Sequence, residues 1–307
     1  MAALGTVMEL PHDLPKAAKR SLKTTNSLTS ASPIIISKFM HELIKLAKAT
    51  INENKPLPFS AYASIKEQRI LNVPVIKPLL IFVLSGVKKL GKDGEVACPA
   101  GSFVFLSNSP TIDMRNIPDD QEYFAVLIEF EYSDFNQFKH KRNNAKKYFR
   151  GEIDFVLAKT QQQYLEWSSF APSRAWHFRK KELLQIIYQS GYVDVGNIAE
   201  PPSLSHQLHD IISENISHYW GADHLSAKLT ISESTLRRKL IAEGTNIKAI
   251  RDRTKLGHGL HLVQTTMEPI GCIAERCGYH SQSKFTNKFK HLFGITPTEL
   301  RKTRVHE

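Results

Sequence analysis

Residues 269–304 read PIGCIAERCGYHSQSKFTNKFKHLFGITPTELRKTR, and this stretch decides the fold of the carboxyl-terminal part of the chain. Ile270, Ile273, Ala274 and Cys277 recur at helical spacing, which predicts a short helix with one apolar stripe. Gly278 then supplies a tight turn. A second helix follows, with Phe285, Phe289 and Phe293 on its inner face. Over residues 284–304, Lys284, Lys288, Lys290, Arg301, Lys302 and Arg304 stand against the single acid Glu299. Two helices joined by a tight turn, the second carrying polar and cationic residues outward, present a probe to the DNA major groove. The excess of cations suits phosphate neutralisation.

A fainter copy lies upstream, in ADHLSAKLTISESTLRRKLIAEG at residues 222–244. Leu225, Leu229 and Ile231 stand 48 residues before Ile273, Cys277 and Tyr279, and Ser226 stands where Ala274 does. Beyond the turn the second copy gains one residue, so Leu236 matches Phe285 and Leu240 matches Phe289. Each is an i, i+4 pair on a buried face. The intervening residues 246–266 make a helix near 30 Å at about 1.5 Å per residue. Two reading helices held that far apart suit successive major grooves, which recur about every 34 Å.

With Leu236 and Leu240 buried, helical geometry turns Glu233, Ser234, Arg237 and Arg238 outward. Arginine pairs with guanine through two hydrogen bonds. With Phe285 and Phe289 buried, Gln282, Ser283, Thr286 and Asn287 face out; glutamine and asparagine suit adenine. Lys284, Lys288 and Lys290 are expected on phosphates, which set register without reading sequence. Taken alone, Arg237-Arg238-Lys239 is ordinarily a solvated face, and an isolated helix-turn-helix pattern is weak. Two cationic copies at matching spacing favour the DNA reading.

At these residues the chain resembles the AraC/XylS family of bacterial transcription regulators. The likeness runs from about residue 204 to 304, and its most specific part is IAERCGYHSQSKFTNKFKHLFGITPTELRK. The resemblance implies a seven-helix DNA-binding domain with two helix-turn-helix units, controlling promoters beside RNA polymerase. Carried over by position, Ser234, Arg237 and Arg238 match base-facing positions of the first unit, and Gln282, Thr286 and Asn287 those of the second. Asn287 stands where the family often has arginine, and Ser226 replaces the usual alanine. Thr230 replaces the usual turn glycine, an awkward choice if that position needs positive φ.

The chain has 307 residues, enough for two domains; apolar content of 41% and charged content of 23% mark a globular protein. A net charge of +11 suits a polyanionic partner without proving one. Its densest cluster outside the terminal segment is residues 139–150, with six Lys or Arg and no acid. Cys98, Cys272 and Cys277 are too few and too oddly placed for a disulfide framework, and Cys277 fits a packed helix stripe. No apolar run spans a bilayer and residues 1–20 lack a signal pattern, so a cytoplasmic setting is expected.

Residues 1–32 are polar and expected to be flexible. Ser32-Pro33 reads as a helix start, and Met40, Leu43 and Ala47 carry an apolar stripe until Lys55-Pro56. From about residue 59 to 132 short β-branched and aromatic runs alternate with turn signals such as Gly91-Lys92-Asp93-Gly94, suggesting a small barrel or sandwich. Amphipathic helices follow around Tyr164–Trp167 and Leu183–Tyr188. The expectation is an α+β chain. Residues 33–190 form a cupin-like β-barrel with flanking helices, and 191–203 a linker. An all-α domain at 204–307 carries units at 222–243 and 270–293.

The family's amino-terminal domain commonly senses a small molecule or dimerises, and both roles stay open here. A barrel interior of Ile81, Val83, Phe103, Phe105 and Leu127 suits an apolar ligand, though the same residues equally fill a core. Lys66, Arg69 and Lys77 are candidates for an anionic headgroup; some members of the family bind fatty acids. The alternative is an effector-independent DNA binder, governed by a homodimer or protein partner through the Leu/Ile stripe of residues 180–189. No metal cluster, phosphate loop or nucleophile elbow appears, so neither cofactor nor enzymatic activity is expected. His206/His209 and His258/His261, at i, i+3 spacing, read as packing or polar-face residues.

Overall fold

The computed structural model describes residues 33–51, 55–108, 111–119, 121–138 and 147–304, with side chains from residue 38 onward. The expected flexible segment 1–32 and most of the cationic cluster 139–150 lie outside them. Helix α1 (Pro33–Ile51) turns Met40, Leu43, Ile44 and Ala47 inward, the stripe its spacing requires.

Among the described residues nine strands follow: β1 (Ser60–Ser64), β2 (Gln68–Val73), β3 (Leu79–Ser85), β4 (Val87–Leu90), β5 (Val96–Pro99), β6 (Ser102–Leu106), β7 (Ile112–Ile117), β8 (Tyr123–Glu129) and β9 (Tyr148–Glu152). They form a five-stranded sheet, β1-β8-β3-β6-β9, and a four-stranded sheet, β2-β7-β4-β5. All their pairings are antiparallel. The β4–β5 hairpin turns at Gly91 and Gly94, with φ of 87° and 71°, conformations glycine adopts freely.

The two sheets face each other without closing, so the expected barrel is an open sandwich. No described pairing joins one sheet to the other. Closure is unnecessary because the edge at β2 is covered instead: Ile70 belongs to the core of the carboxyl-terminal helices.

The five-stranded sheet is buried on both faces, which explains its unbroken apolar runs. Ile81, Val83, Val104, Leu106, Ala125 and Leu127 point toward the other sheet. Phe103 and Phe105, expected inside with Ile81 and Val83, point the opposite way. They join Leu80, Phe82 and Val126 beneath α1 and two further helices, α2 (Phe155–Ser168) and α3 (Trp176–Gln189). Strand period fixes this, since neighbours must alternate. The unforeseen β9 pairs with β6, and Gly151 lets Phe103 and Tyr192 approach: an added Cβ would lie 2.5 Å from each.

Residues 191–203 are no free linker. A 3-10 turn (Val193–Asn197) carries Val195, and with Ile198 it is fully buried in the amino-terminal core. Glycines and a Pro-Pro pair suggested a connector, but the apolar residues between them pack. The stripe on α3 is likewise used internally, with Leu183, Leu184 and Ile187 buried in the same core.

Seven helices complete the described chain: α4 (Leu204–Glu214), α5 (Ala222–Lys228), α6 (Glu233–Ala242), α7 (Ile247–Thr265), α8 (Ile270–Arg276), α9 (Gln282–Phe293) and α10 (Pro297–Lys302). Side-chain oxygens of Ser203, Ser232, Asn246, Ser281 and Thr296 cap five of them. Helix α7 serves two cores. Ile247 and Ile250 pack with α4, α5 and α6; Leu256, Leu260 and Val263 pack with α8, α9 and α10.

Candidate nucleic-acid interface

The turn between α5 and α6 and that between α8 and α9 are the same backbone device. Thr230 N–H donates to Ala227 O and Ile231 N–H to Ser226 O, both at 3.1 Å. Forty-eight residues on, Gly278 N–H donates to Glu275 O at 2.8 Å and Tyr279 N–H to Ala274 O at 2.9 Å. Both turn residues are left-handed, Thr230 at φ 55° and Gly278 at φ 71°. Threonine there carries strain of about 1–2 kcal/mol that glycine avoids. Gly278 is also required by space, because a Cβ would lie 2.7 Å from Ser217 O.

Behind the turns the two units pack differently. Leu225, Leu236 and Leu240 form an aliphatic seat for α6. For α9 the seat is aromatic: Phe285 and Phe289 have ring centroids 5.6 Å apart, and Phe289 and Phe293 4.7 Å. The opposite faces are open. Ser234, Arg237 and Arg238 are exposed on α6, as are Gln282, Ser283, Lys284, Asn287 and Lys290 on α9, with Thr286 half-buried. Arg237 reaches Glu233 only at 3.4 Å, a weak tether at the surface.

Lys288 departs from expectation. Its ammonium donates to both carboxylate oxygens of Asp252 on α7, each at 2.6 Å. Three residues from Phe285, it sits at the flank of the buried stripe and braces α9 on α7. Its charge is neutralised within the protein.

A cavity of about 500 Å³ lies between the sandwich and the helical domain. Of the three expected anion-binding residues, Lys77 alone lines it, and Lys77 donates to Glu131 at 2.6 Å. Burial works against the Lys77 ammonium, yet the hydrogen bond and charge of Glu131 outweigh it and hold its pKa above the ordinary lysine value. Lys66 and Arg69 are exposed and lie outside the lining. Strand alternation turns Gln68 and Ile70 of β2 inward and therefore Arg69 outward.

The lining also contains Tyr62, Lys88, Lys180 and Arg253, which no motif in the sequence singles out, and His258 and His261, expected as packing or polar-face residues. Tyr62 Oη and His261 Nδ1 are 3.2 Å apart across the domain boundary. Burial lowers the pKa of both histidines, helped for His258 by His261 and Arg276, and for His261 by Arg276. Lys88 is 2% exposed, and burial pushes its ammonium down to about 8. The sequence GVKKLG could not show which of its two lysines is buried; only strand parity does.

The domains also share hydrogen bonds. Ile65 and Lys66 N–H groups donate to Thr303 O at 2.8 and 3.2 Å, and Asn72 Nδ2 donates to Leu292 O at 3.0 Å. Gly294, the left-handed cap of α9, abuts Leu71, which would lie 2.9 Å from an added Cβ. Among the described residues no three His, Cys, Asp or Glu side chains gather as a metal set, and no helix is long and apolar enough to cross a membrane.

Residues 225–303 match a family described as a helix-turn-helix domain. The HTH-type transcriptional regulator GadX of Escherichia coli O6:H1 is 31% identical over 106 residues, covering 34% of this chain and 39% of its own length. The porin thermoregulatory protein EnvY of Escherichia coli K12 is 32% identical over 87 residues, covering 28% of this chain and 34% of EnvY. The chain thus spans little more than a third of these curated relatives. Among solved structures, an apo lysine-to-alanine variant of ToxT from Vibrio cholerae superposes with a TM-score of 0.61, covering 82% of this chain and 99% of ToxT at 14% identity. Unsaturated fatty acid bound wild-type ToxT from the same strain gives 0.59, covering 83% and 98% at 15% identity. At such identity the likeness is one of fold, and it extends through both domains.

Proposed function

We propose that this chain is a transcription regulator of the AraC/XylS type, a sequence-specific activator gated by a small amphipathic anion. The observation that carries the DNA reading is the duplicated turn with an uncovered polar face beyond each copy. Helix α7 separates the two probes, and its 19 residues span about 28 Å at 1.5 Å per residue. That length is commensurate with the groove repeat of about 34 Å. Ser234, Arg237 and Arg238 read one major groove; Gln282, Ser283, Thr286 and Asn287 read the next. Lys284 and Lys290 hold phosphates. The chain acts in the cytoplasm beside RNA polymerase and performs no catalysis.

The cavity supports the effector reading. Its volume lies within the roughly 300–1,000 Å³ typical of small-molecule sites. ToxT, which shares the fold, has been solved with an unsaturated fatty acid, and the lining here combines apolar walls with cations. The rival reading, control by dimerisation through residues 180–189, loses its surface because Leu183, Leu184 and Ile187 are core residues. Footprinting on genomic promoter fragments, with and without oleate, tests both parts. Protection of two adjacent major-groove segments on one side of the duplex is expected. Failure to retard any promoter fragment at low salt overturns the DNA reading.

A further inference from the structure

The cavity reaches between the two sheets, where Lys88, Met114, Asn116 and Leu127 line its inner end. Lys88 is buried there, and among the described residues it has no counter-ion. Among the described residues its hydrogen bond is to Asn116 Oδ1 at 2.8 Å, and no carboxylate pairs with it. A buried ammonium left in that state costs free energy that an anion would recover. Outside the cavity lining, the hydroxyls of Tyr123 and of Ser64, residues paired in the β1–β8 register, also lack hydrogen-bond partners among the described residues. Lys88 Nζ lies 5.7 Å from the centre of the Tyr123 ring. The inner end of the cavity thus offers a buried ammonium held by one amide oxygen, a place an anion from outside can fill.

From Lys88 a chain of hydrogen bonds runs to the DNA-binding domain. Asn116 Nδ2 donates to Gln68 Oε1 at 2.9 Å, and Gln68 Nε2 donates to Thr303 Oγ1 at 2.7 Å. Thr303 Oγ1 donates in turn to Leu300 O of α10 at 2.6 Å. Lys88, Asn116 and Gln68 are each no more than 2% exposed. The direction of the chain is imposed at its head, because an ammonium can only donate. Asn116 must therefore turn its oxygen to Lys88 and its amide nitrogen to Gln68, and Gln68 must do likewise toward Thr303.

We propose that Lys88 is the inner anchor for the carboxylate of an amphipathic acid, and that its occupancy is relayed through Asn116 and Gln68 to Thr303. The proposal rests on the effector reading above and names the headgroup contact and the coupling path within it. A carboxylate is a stronger acceptor for the ammonium than an amide oxygen. A carboxylate that draws Nζ off Asn116 removes that amide's charged donor, releases the fixed direction of the chain and slackens the grip of β2 on the end of α10. The tail lies along Leu127, Met114 and Leu79 toward the domain boundary.

The test measures binding of oleate and of uncharged oleyl alcohol by calorimetry, below their aggregation limits, and promoter affinity with and without oleate. In the full-length protein oleate binds more tightly than the alcohol and shifts promoter affinity roughly fivefold or more. Lys88→Met loses roughly tenfold or more of oleate affinity and leaves alcohol binding unchanged. Lys88→Gln, which keeps a donor for Asn116, folds with the relay intact and loses the same preference for acid. Gln68→Leu binds oleate like the parent, yet its promoter affinity no longer responds. Equal preference for acid in Lys88→Met, Lys88→Gln and parent overturns the anchor, and a normal response in Gln68→Leu overturns the relay; the effector reading survives either. A parent protein that binds neither compound overturns the effector reading itself.

Discussion

In the first helix-turn-helix unit the turn residue Thr230 holds a left-handed conformation against its β-branch, and α6 rests on leucines. In the second, Gly278 takes the same conformation without strain, and α9 rests on a phenylalanine ladder. Their tethers differ as well. Glu243 at the end of α6 binds the start of α4, accepting from Leu204 N–H at 2.9 Å and Ser205 N–H at 3.0 Å within the same half-domain. The end of α9 is held by the other domain, through Asn72 on Leu292 O and Leu71 against Gly294. A duplicated fold element thus need not be duplicated in its restraints. Helix α6 is seated locally, while α9 is fixed by the domain that contains the cavity wall.

The largest expected effect tests the two seats. Phe289→Ala should cost about 3–5 kcal/mol in urea unfolding, and Leu240→Ala about 2–5 kcal/mol; equal, small losses would erase the contrast between them. Next come the probes. Arg237→Ala and Gln282→Ala should each relax discrimination at particular base pairs by roughly 1–3 kcal/mol, in different half-sites, as read by footprint competition. If both merely scale affinity on every sequence, neither residue reads bases.

The turn comparison is sharpened by Thr230→Gly, expected to raise stability by about 1 kcal/mol, whereas Gly278→Ala should lower it. Lysines separate more finely. Lys290→Ala should flatten the salt dependence of DNA binding by about one unit of slope, while Lys288→Met should leave the slope alone because Asp252 already neutralises that charge.

The smallest effect concerns the boundary between the domains. His258 and His261 titrate lower folded than unfolded, so the unfolded chain takes up their protons first. Stability is therefore held above about pH 6.5 and lost as pH falls through the depressed folded values. His261→Gln should reduce that acid sensitivity, measured as the change in melting temperature between neutral and mildly acidic buffer.

Much of the helical domain was legible because its signals are local. A buried stripe, a turn and a cap each occupy fewer than a dozen residues, so Phe285 and Phe289 inside imply Gln282 and Asn287 outside by helical geometry alone. The warning at Thr230 was legible for the same reason. Lys288 was misplaced because its partner Asp252 lies 36 residues away on another helix. In the sandwich, β3 and β6 are apolar on both sides, so no pattern could say whether Phe103 or Val104 faces the other sheet.

By itself, then, the sequence determined the two helix-turn-helix units, their spacing along the chain and the presence of short strands before them, since period and turn chemistry act between near neighbours. Tertiary structure alone decided that the sandwich stays open, that Lys88 is interior while Lys66 and Arg69 are not, and that β2 grips the end of α9. Those outcomes depend on strand parity and on which surfaces meet across the domain boundary, and neither is encoded within any single stretch of residues.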